Sequence, residues 1–213
     1  MEKIEKFKKS FAESLQHGLP GDQAHVKMLP NGRKLLTFEE KSLLNYQKSA
    51  VAIVCYSANN QFYSILTQRH TYTGKHSGQV SFPGGKYETG DINLEFTARR
   101  ECFEEIGIPM HDGVTLGKLS DVYIPVSEFV VSPFVIFHNS EPLTIKNEFE
   151  VDEIITFQLD ELLAENSFIL QDIELSDGTK YNKTPHFCLS QKMVWGATAL
   201  ILSEFREILK RFL

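Results

Sequence analysis

Residues 82 to 108 read FPGGKYETGDINLEFTARRECFEEIGI. The stretch opens on a Phe-Pro-Gly-Gly turn, crosses an acidic loop with Glu88 and Asp91, and ends in a segment with helical spacing. At about 100° per residue, Glu101, Glu104 and Glu105 share one helix face, while Ala98, Cys102, Phe103 and Ile106 take the opposite one. Asn93 is placed to cap this helix, and Gly107 followed by Pro109 to end it. Like charges one turn apart cost a helix about 0.2 to 0.5 kcal/mol per pair. In a partly shielded site, two carboxylates about 5 Å apart repel by about 3 kcal/mol at an effective dielectric near 20. A divalent cation removes the conflict, and clustered carboxylate oxygens are what Mg²⁺ or Mn²⁺ prefers. A solvated acidic face is the plain alternative for three Glu taken alone. The neighbouring residues argue against it.

From Arg100 the chain runs Arg100, Glu101, Cys102, Glu104, Glu105, Gly107, Ile108. This register resembles the signature of the Nudix hydrolases, G-x5-E-x7-R-E-U-x-E-E-x-G-U, with U a bulky apolar residue. The first half departs from it. Ile92 stands where the first Glu is expected, and Gly85 lies fifteen residues before the Arg instead of fourteen. A loop one residue longer, with Asp91 beside the vacant acidic position, resembles the coenzyme A pyrophosphatase branch. That branch also carries a lead-in, partly matched here by LTQRHTYTGKHSGQVSFPGG from Leu66 to Gly85, and a Trp-Gly-Ala-Thr stretch like residues 195 to 198. His70 and Gly74 break the branch pattern where a small residue and an Arg are expected, and Lys75 lies next to the missing Arg.

The resemblance implies an α+β fold, an α/β/α sandwich around a mixed sheet, covering roughly residues 48 to 212. It also implies hydrolysis of a diphosphate joined to another moiety. Glu101, Glu104 and Glu105 would be the ligands of Mg²⁺ or Mn²⁺, with a backbone carbonyl from Gly84 or Gly85, and Arg100 would orient the carboxylates. Arg69, Lys75, His76 and Gln79, ahead of the Gly-Gly turn, are candidates to meet phosphates. A later carboxylate from NEFEVDEIITF, Glu150 or Glu153, would serve as base or ligand, with Glu150 favoured. Trp195 is either core or a surface on which a base stacks. The substrate reading is coenzyme A, split into 3′,5′-ADP and 4′-phosphopantetheine. ADP-ribose or an oxidised nucleoside triphosphate is the alternative within the class. A nucleotide-binding regulatory module without turnover is the alternative outside it, and the intact metal-ligand positions oppose that one.

The remainder of the chain bounds these readings. Its 213 residues, 42% of them apolar, are enough for one globular domain with appended elements. A net charge of −6 opposes a nucleic-acid backbone as partner. Cys55, Cys102 and Cys188 have no C-x-x-C spacing and read as buried thiols. The start lacks a signal-peptide pattern, and no stretch approaches 18 apolar residues, so a soluble cytoplasmic protein is expected, without a membrane partner. Ile4, Phe7, Phe11 and Leu15 predict an amphipathic helix over 2–16, packed on its own domain or forming a homodimer contact. Residues 1–47 read as a helical extension and 48–213 as the hydrolase domain. Strands are predicted at 50–56, 62–68, 78–82, 114–124, 130–137, 151–157, 168–175 and 185–189, with helices at 158–165 and 196–212.

Overall fold

The apolar runs on either side of Asn59-Asn60 form a hairpin, β1 (Gln47–Ala58) and β2 (Gln61–Arg69), with Cys55 opposite Ser64 and Ala58 opposite Gln61. Asn59 and Asn60 turn the corner at φ 49° and 62°. A two-residue hairpin turn needs two such left-handed residues, and Asn tolerates that region better than most side chains. The computed structural model describes residues 2–36, 40, 46–70, 78–125, 127–174, 178 and 180–213.

β1 is the axis of a mixed sheet. β7 (Phe129–His138) runs parallel to it, from Gln47 opposite Phe129 to Tyr56 opposite His138. β4 (Gly84–Lys86) pairs with β1 antiparallel, setting Gly85 against Ala50 and Gly84 against Val51. β3 (Val80–Ser81) and β8 (Val151–Gln158) pair with β2, and β5 (Val114–Lys118) and β6 (Val122–Ile124) pair with β7. Both faces of β1 are covered, which is why its apolar run is continuous. Ala50, Ala52, Val54 and Tyr56 meet Ala98, Cys102 and Ile106 of the helix α3 (Leu94–Ile106). Ile53 and Cys55 point into a larger core on the other side.

That second core gathers the two ends of the chain. α1 (Glu2–Gln16) inserts Phe7, whose ring lies 4.3 Å from Phe62, 5.1 Å from Phe137 and 5.4 Å from Phe212. α5 (Gly196–Leu209) contributes Leu202, Phe205 and Leu209. A short α2 (Asp22–His25) and α4 (Leu159–Leu163) pack beside it. A separate three-stranded sheet completes the cover, formed by β9 (Phe168–Glu174), β10 (Lys180–Leu189) and β11 (Lys192–Val194) in the order β11-β10-β9. Helices therefore flank the mixed sheet on both faces, an α+β architecture with an added N-terminal helix. No helix of the described residues is long and apolar enough to cross a membrane. Cys55 and Cys102 are buried free thiols, each pushed up to about 12 chiefly by burial, and Cys188 is a half-buried one.

Four details differ from the sequence reading. The strand expected over 114–124 is two strands, because residues 119–121 leave the ladder and Ser120 gives its N–H and hydroxyl to Glu204. Phe103 is half exposed instead of joining the apolar face of α3, whose buried side takes Glu105 together with Ala98, Cys102 and Ile106. β11 and α2 had no sequence signal, and the second half of the expected Phe-Pro-Gly-Gly turn is strand β4, because both glycines pair with β1.

Glu204 is the buried knot of the second core. Its carboxylate accepts from Gly21 N–H at 3.0 Å, Ser120 N–H at 3.0 Å, Ser120 Oγ at 2.7 Å and a ring nitrogen of His25 at 3.2 Å. Burial favours the neutral acid, but the His25, Ser120 and Gly21 donors outweigh it and hold the carboxyl below its usual range. A depressed folded-state pKa stabilises fully above the unfolded value of about 4.3 and is lost as pH falls through the lower folded value. Glu204→Ala should cost about 3 to 5 kcal/mol, since it strands several buried donors. Urea melts at pH 7 and at acid pH test this. The deficit should shrink in acid, and a deficit below about 1 kcal/mol at pH 7 would reduce the knot to ordinary packing.

Candidate active site

Both ends of α3 are fixed by its own sequence. Asn93 Oδ1 accepts from Phe96 N–H at 2.8 Å, and Gly107 ends the helix at φ 74° with its N–H on Phe103 C=O. The last carbonyls, which a helix leaves unpaired, are taken by the loop before β8. Ile145 N–H bonds Ile106 C=O at 2.8 Å, Asn147 N–H bonds Glu105 C=O at 2.9 Å, and Asn147 Nδ2 bonds Glu104 C=O at 3.1 Å. Glu150 follows in a turn whose N–H returns to Asn147 C=O at 3.2 Å. This tie brings Glu150 close enough for its charge to raise the carboxyls of Glu101 and Glu105.

Arg100 organises the carboxylates. Nε and Nη2 clasp Asp91 at 2.8 and 3.0 Å, Nη1 bonds Glu101 and Glu104 at 2.9 Å each, and Nη2 also reaches Lys86 C=O at 3.0 Å. Every N–H of the guanidinium thereby has an acceptor. Asp91 is buried and also accepts from Glu88 N–H at 2.9 Å and Thr97 Oγ1 at 2.8 Å. The Arg100 hydrogen bonds, with help from Glu88 and Thr97, hold Asp91 far below the usual carboxylate range despite burial. Ile92, at the position where the signature has Glu, is 80% exposed. The lengthened loop therefore delivers its acid one residue earlier.

Glu105 is 4% exposed and lies under the end of β2, with Thr67 Oγ1 at 3.5 Å and Arg69 Nη2 at 3.7 Å. Burial pushes its carboxyl up to about 8; Arg69 and the Gly84 N–H oppose the shift, and the charges of Glu101 and Glu150 add to it. Gly85 has no side chain because a Cβ there would stand 2.4 Å from the Glu101 carboxyl carbon. At Gly84 a Cβ would stand 2.4 Å from Ala50 C=O. The Gly-Gly pair thus lets β4 lie between β1 and the carboxylates.

Arg69 and Arg100, Gly84 and Gly85, Glu101, Glu104, Glu105 and Glu150 fall in one neighbourhood. Glu153 points elsewhere, held by Lys192 Nζ at 2.6 Å. Lys75 and His76 lie outside the described residues. Gln79 gives its backbone C=O to Arg69 N–H. His70, which departs from the expected pattern, bonds Glu148 C=O at 3.0 Å and faces Asp152. Asp91 as the anchor of Arg100, Thr97 beneath it and the Asn147 tie escaped the sequence reading.

The donors suit a divalent cation in type: three carboxylates, one of them raised chiefly by its burial, beside a backbone cleared of side chains. Among the described residues no three His, Cys, Asp or Glu already converge as a ligand set. Glu101 and Glu104 each give one carboxylate oxygen to Arg100 instead.

The chain matches the NUDIX domain model over residues 46–175. It is 34% identical over 154 residues to the uncharacterized Nudix hydrolase NudL of Pectobacterium atrosepticum, covering 72% of this chain and 77% of that one.

The chain belongs to the Nudix family.

Accordingly it is an enzyme, a hydrolase of the Nudix diphosphatase type, and Nudix hydrolases generally need divalent cations. It is also 34% identical over 140 residues to the human mitochondrial coenzyme A diphosphatase NUDT8, covering 65% of this chain and 58% of that enzyme. The Nudix hydrolase RenU of M. smegmatis shares the fold at a TM-score of 0.54 and 14% identity, over 78% of this chain and 88% of RenU. A MutT/nudix protein from Enterococcus faecalis does so at 0.52 and 13%, over 84% and 66%.

Proposed function

We propose that this Nudix enzyme hydrolyses the diphosphate of coenzyme A or its derivatives, giving 3′,5′-ADP and 4′-phosphopantetheine. The observation that carries the reading is the Asp91–Arg100 clasp. It gives a working role to the longer loop that likens the chain to the coenzyme A branch, since Asp91 fills in for the missing Glu. The likeness to the human coenzyme A diphosphatase supports it.

Glu101, Glu104 and Glu105 would hold Mg²⁺ or Mn²⁺, with a carbonyl from Gly84 or Gly85 of β4. When bound, the metal neutralises phosphate charge and acidifies water. Arg100 fixes the carboxylates from one side, while Asp91 keeps it from closing wholly on them. Arg69 stands at the rim, where its guanidinium pairs with Glu105 until a phosphate competes for it. Lys75, on sequence alone, is a second phosphate contact. Glu150 takes the proton as the water oxygen bonds phosphorus, and the bridging oxygen departs with the other phosphate.

A general base contributes about 10² to 10⁴ in rate, so Glu150→Gln should lower kcat by that order with KM little changed, whereas Glu153→Gln should stay within about threefold of the parent. The reverse ranking would move the base to β8. The substrate test compares kcat/KM for coenzyme A, dephospho-coenzyme A, ADP-ribose and a nucleoside triphosphate with Mg²⁺ and with Mn²⁺. Coenzyme A should lead by about tenfold or more. A tenfold lead for ADP-ribose or the triphosphate would retire the coenzyme A reading and leave the diphosphatase chemistry standing.

A further inference from the structure

The turn that carries Glu150 is fastened from two sides. On one side Asn147 ties it to the end of α3, with its side chain on Glu104 C=O and its N–H on Glu105 C=O. On the other stands His70, the residue after β2, whose Nε2 lies 3.0 Å from Glu148 C=O. A carbonyl only accepts, so Nε2 carries the proton and donates it. Nδ1 stands 3.6 Å from Asp152 Oδ1, which is too far for a hydrogen bond. The bond to Glu148 is therefore the tether. Between the two anchors Lys146 Nζ braces the turn, bonding Asp152 C=O at 2.8 Å and Glu148 Oε2 at 2.9 Å.

The strand ladder stops short of this turn. β2 and β8 pair regularly from Tyr63 opposite Gln158 to Gln68 opposite Glu153; the register then slips, Arg69 stands opposite Val151, and Asp152 is left as a bulge. Beyond it, Glu150 and Val151 turn their N–H groups to Asn147 C=O, at 3.2 and 3.0 Å, and not to β2. The His70 side chain crosses the gap that the ladder leaves. Its own backbone is held separately, with Gly78 N–H on His70 C=O at 3.2 Å and Arg69 N–H on Gln79 C=O at 3.1 Å. The side chain can thus be changed without freeing the end of β2.

A general base has to meet its water within about 3 Å, and a displacement of about 1 Å can cost on the order of 10² in rate. A turn anchored to α3 alone can pivot about Asn147. A second anchor on β2 removes the pivot.

We propose that His70 is a positioning residue for Glu150: by holding Glu148 C=O it fixes the turn between α3 and β2, and with it the place of the base relative to the carboxylates of α3. This rests on the reading of Glu150 as the base, and not on which diphosphate is cleaved.

The test measures kcat and KM for the parent and for His70→Ala, His70→Gln and His70→Asn, with coenzyme A and Mg²⁺, or with ADP-ribose if coenzyme A is not cleaved. His70→Ala should lower kcat about tenfold with KM within about twofold. Gln sets an amide N–H where Nε2 stands and should restore kcat to within about threefold of the parent, whereas Asn, whose amide ends at the level of Nδ1, should not. With Glu150→Gln already in place there is no base left to position, so adding His70→Ala should lower kcat by less than about twofold further. Hydrogen exchange on the metal-free protein gives a readout apart from turnover. The amides of Glu150 and Val151 should exchange about fivefold faster or more in His70→Ala, with Tm lower by no more than about 3 °C.

Parental kcat in His70→Ala would overturn the proposal, and so would unchanged exchange at Glu150 and Val151. A loss that His70→Gln does not recover, or one that adds in full to that of Glu150→Gln, would overturn it as well. If Glu150→Gln loses turnover while any of these holds, the positioning role falls and the base stands. If Glu150→Gln keeps parental turnover, the base reading falls and the role of His70 falls with it.

Discussion

Glu105→Gln should lower kcat by about three orders of magnitude while making the metal-free protein more stable at pH 8. Glu105 is the most deeply buried of the helix carboxylates, and its burial outweighs Arg69 at 3.7 Å and Thr67 at 3.5 Å. On the proposed function Glu105 helps hold the cation that neutralises the diphosphate, so its loss would remove several kcal/mol of transition-state stabilisation, and each 1.36 kcal/mol is about tenfold in rate. The stability effect has a definite sign. The folded carboxyl, pushed up to about 8, keeps its proton through the range where the unfolded one, near 4.5, has lost it. The metal-free fold therefore loses stability as pH rises from about 4.5 to about 8. Glutamine has no proton to lose, so Glu105→Gln should flatten this decline and gain about 2 to 4 kcal/mol at pH 8. Chemical melts across pH in the presence of a chelator, beside kinetics at saturating Mg²⁺, measure both halves. Near-parental turnover would remove Glu105 from the metal site, and an unchanged pH slope would show that its carboxyl is not held neutral.

Asp91→Ala should be the most destabilising single change in the loop, by about 3 to 5 kcal/mol. The carboxylate is buried and accepts from Glu88 N–H, Thr97 Oγ1 and the Nε and Nη2 of Arg100, so its removal strands donors and leaves a half-buried guanidinium without its main partner. For a chain of this size that corresponds to a drop in Tm of about 10 °C. The released Arg100 would then bind Glu101 and Glu104 more tightly and compete with the cation, so the Mg²⁺ concentration for half-maximal activity should rise. Asp91→Asn keeps the shape and loses the charge, and it should fall between the two on both scales. A melting point within about 2 °C of the parent for Asp91→Ala, with metal dependence unchanged, would mean that the clasp is incidental. In that case the exposed Ile92 position would need another explanation.

Much of this was legible in the residues. Helix α3 carries its start, its stop and its carboxylate face within fourteen positions of Asn93 and Gly107, and the hairpin declares itself through paired Asn at the turn. Such signals are local, and backbone sterics and side-chain capping act over one or two turns. What was missed is tied by distance. β11 is three residues long and exists because it pairs with β10. The strand expected over 114–124 breaks where Ser120 turns to a carboxylate 84 residues away. Phe103 was assigned by periodicity to the apolar face, yet the apolar stripe of α3 is narrow and the buried angle next to it is given to Glu105. The role of Asp91 was half visible, since the length of the loop pointed to it while the donors around it could be found only in three dimensions.

The Glu204 knot has a consequence for the order in which the chain acquires its shape. Gly21 and His25 wait for a partner some 180 positions later, and Phe7 and Phe11 share their core with Phe205 and Phe212. On the ribosome, α1 emerges early with its aromatic face uncovered and cannot be sealed until the last helix has been made. Contacts that span nearly the whole chain carry a large loop-closure cost and form late. Until then the exposed phenylalanines are what a holdase would grip or a neighbouring nascent chain would stick to. The central hairpin and α3, by contrast, can close while synthesis continues, so the helix that carries Glu101, Glu104 and Glu105 takes its place before the two ends of the chain meet.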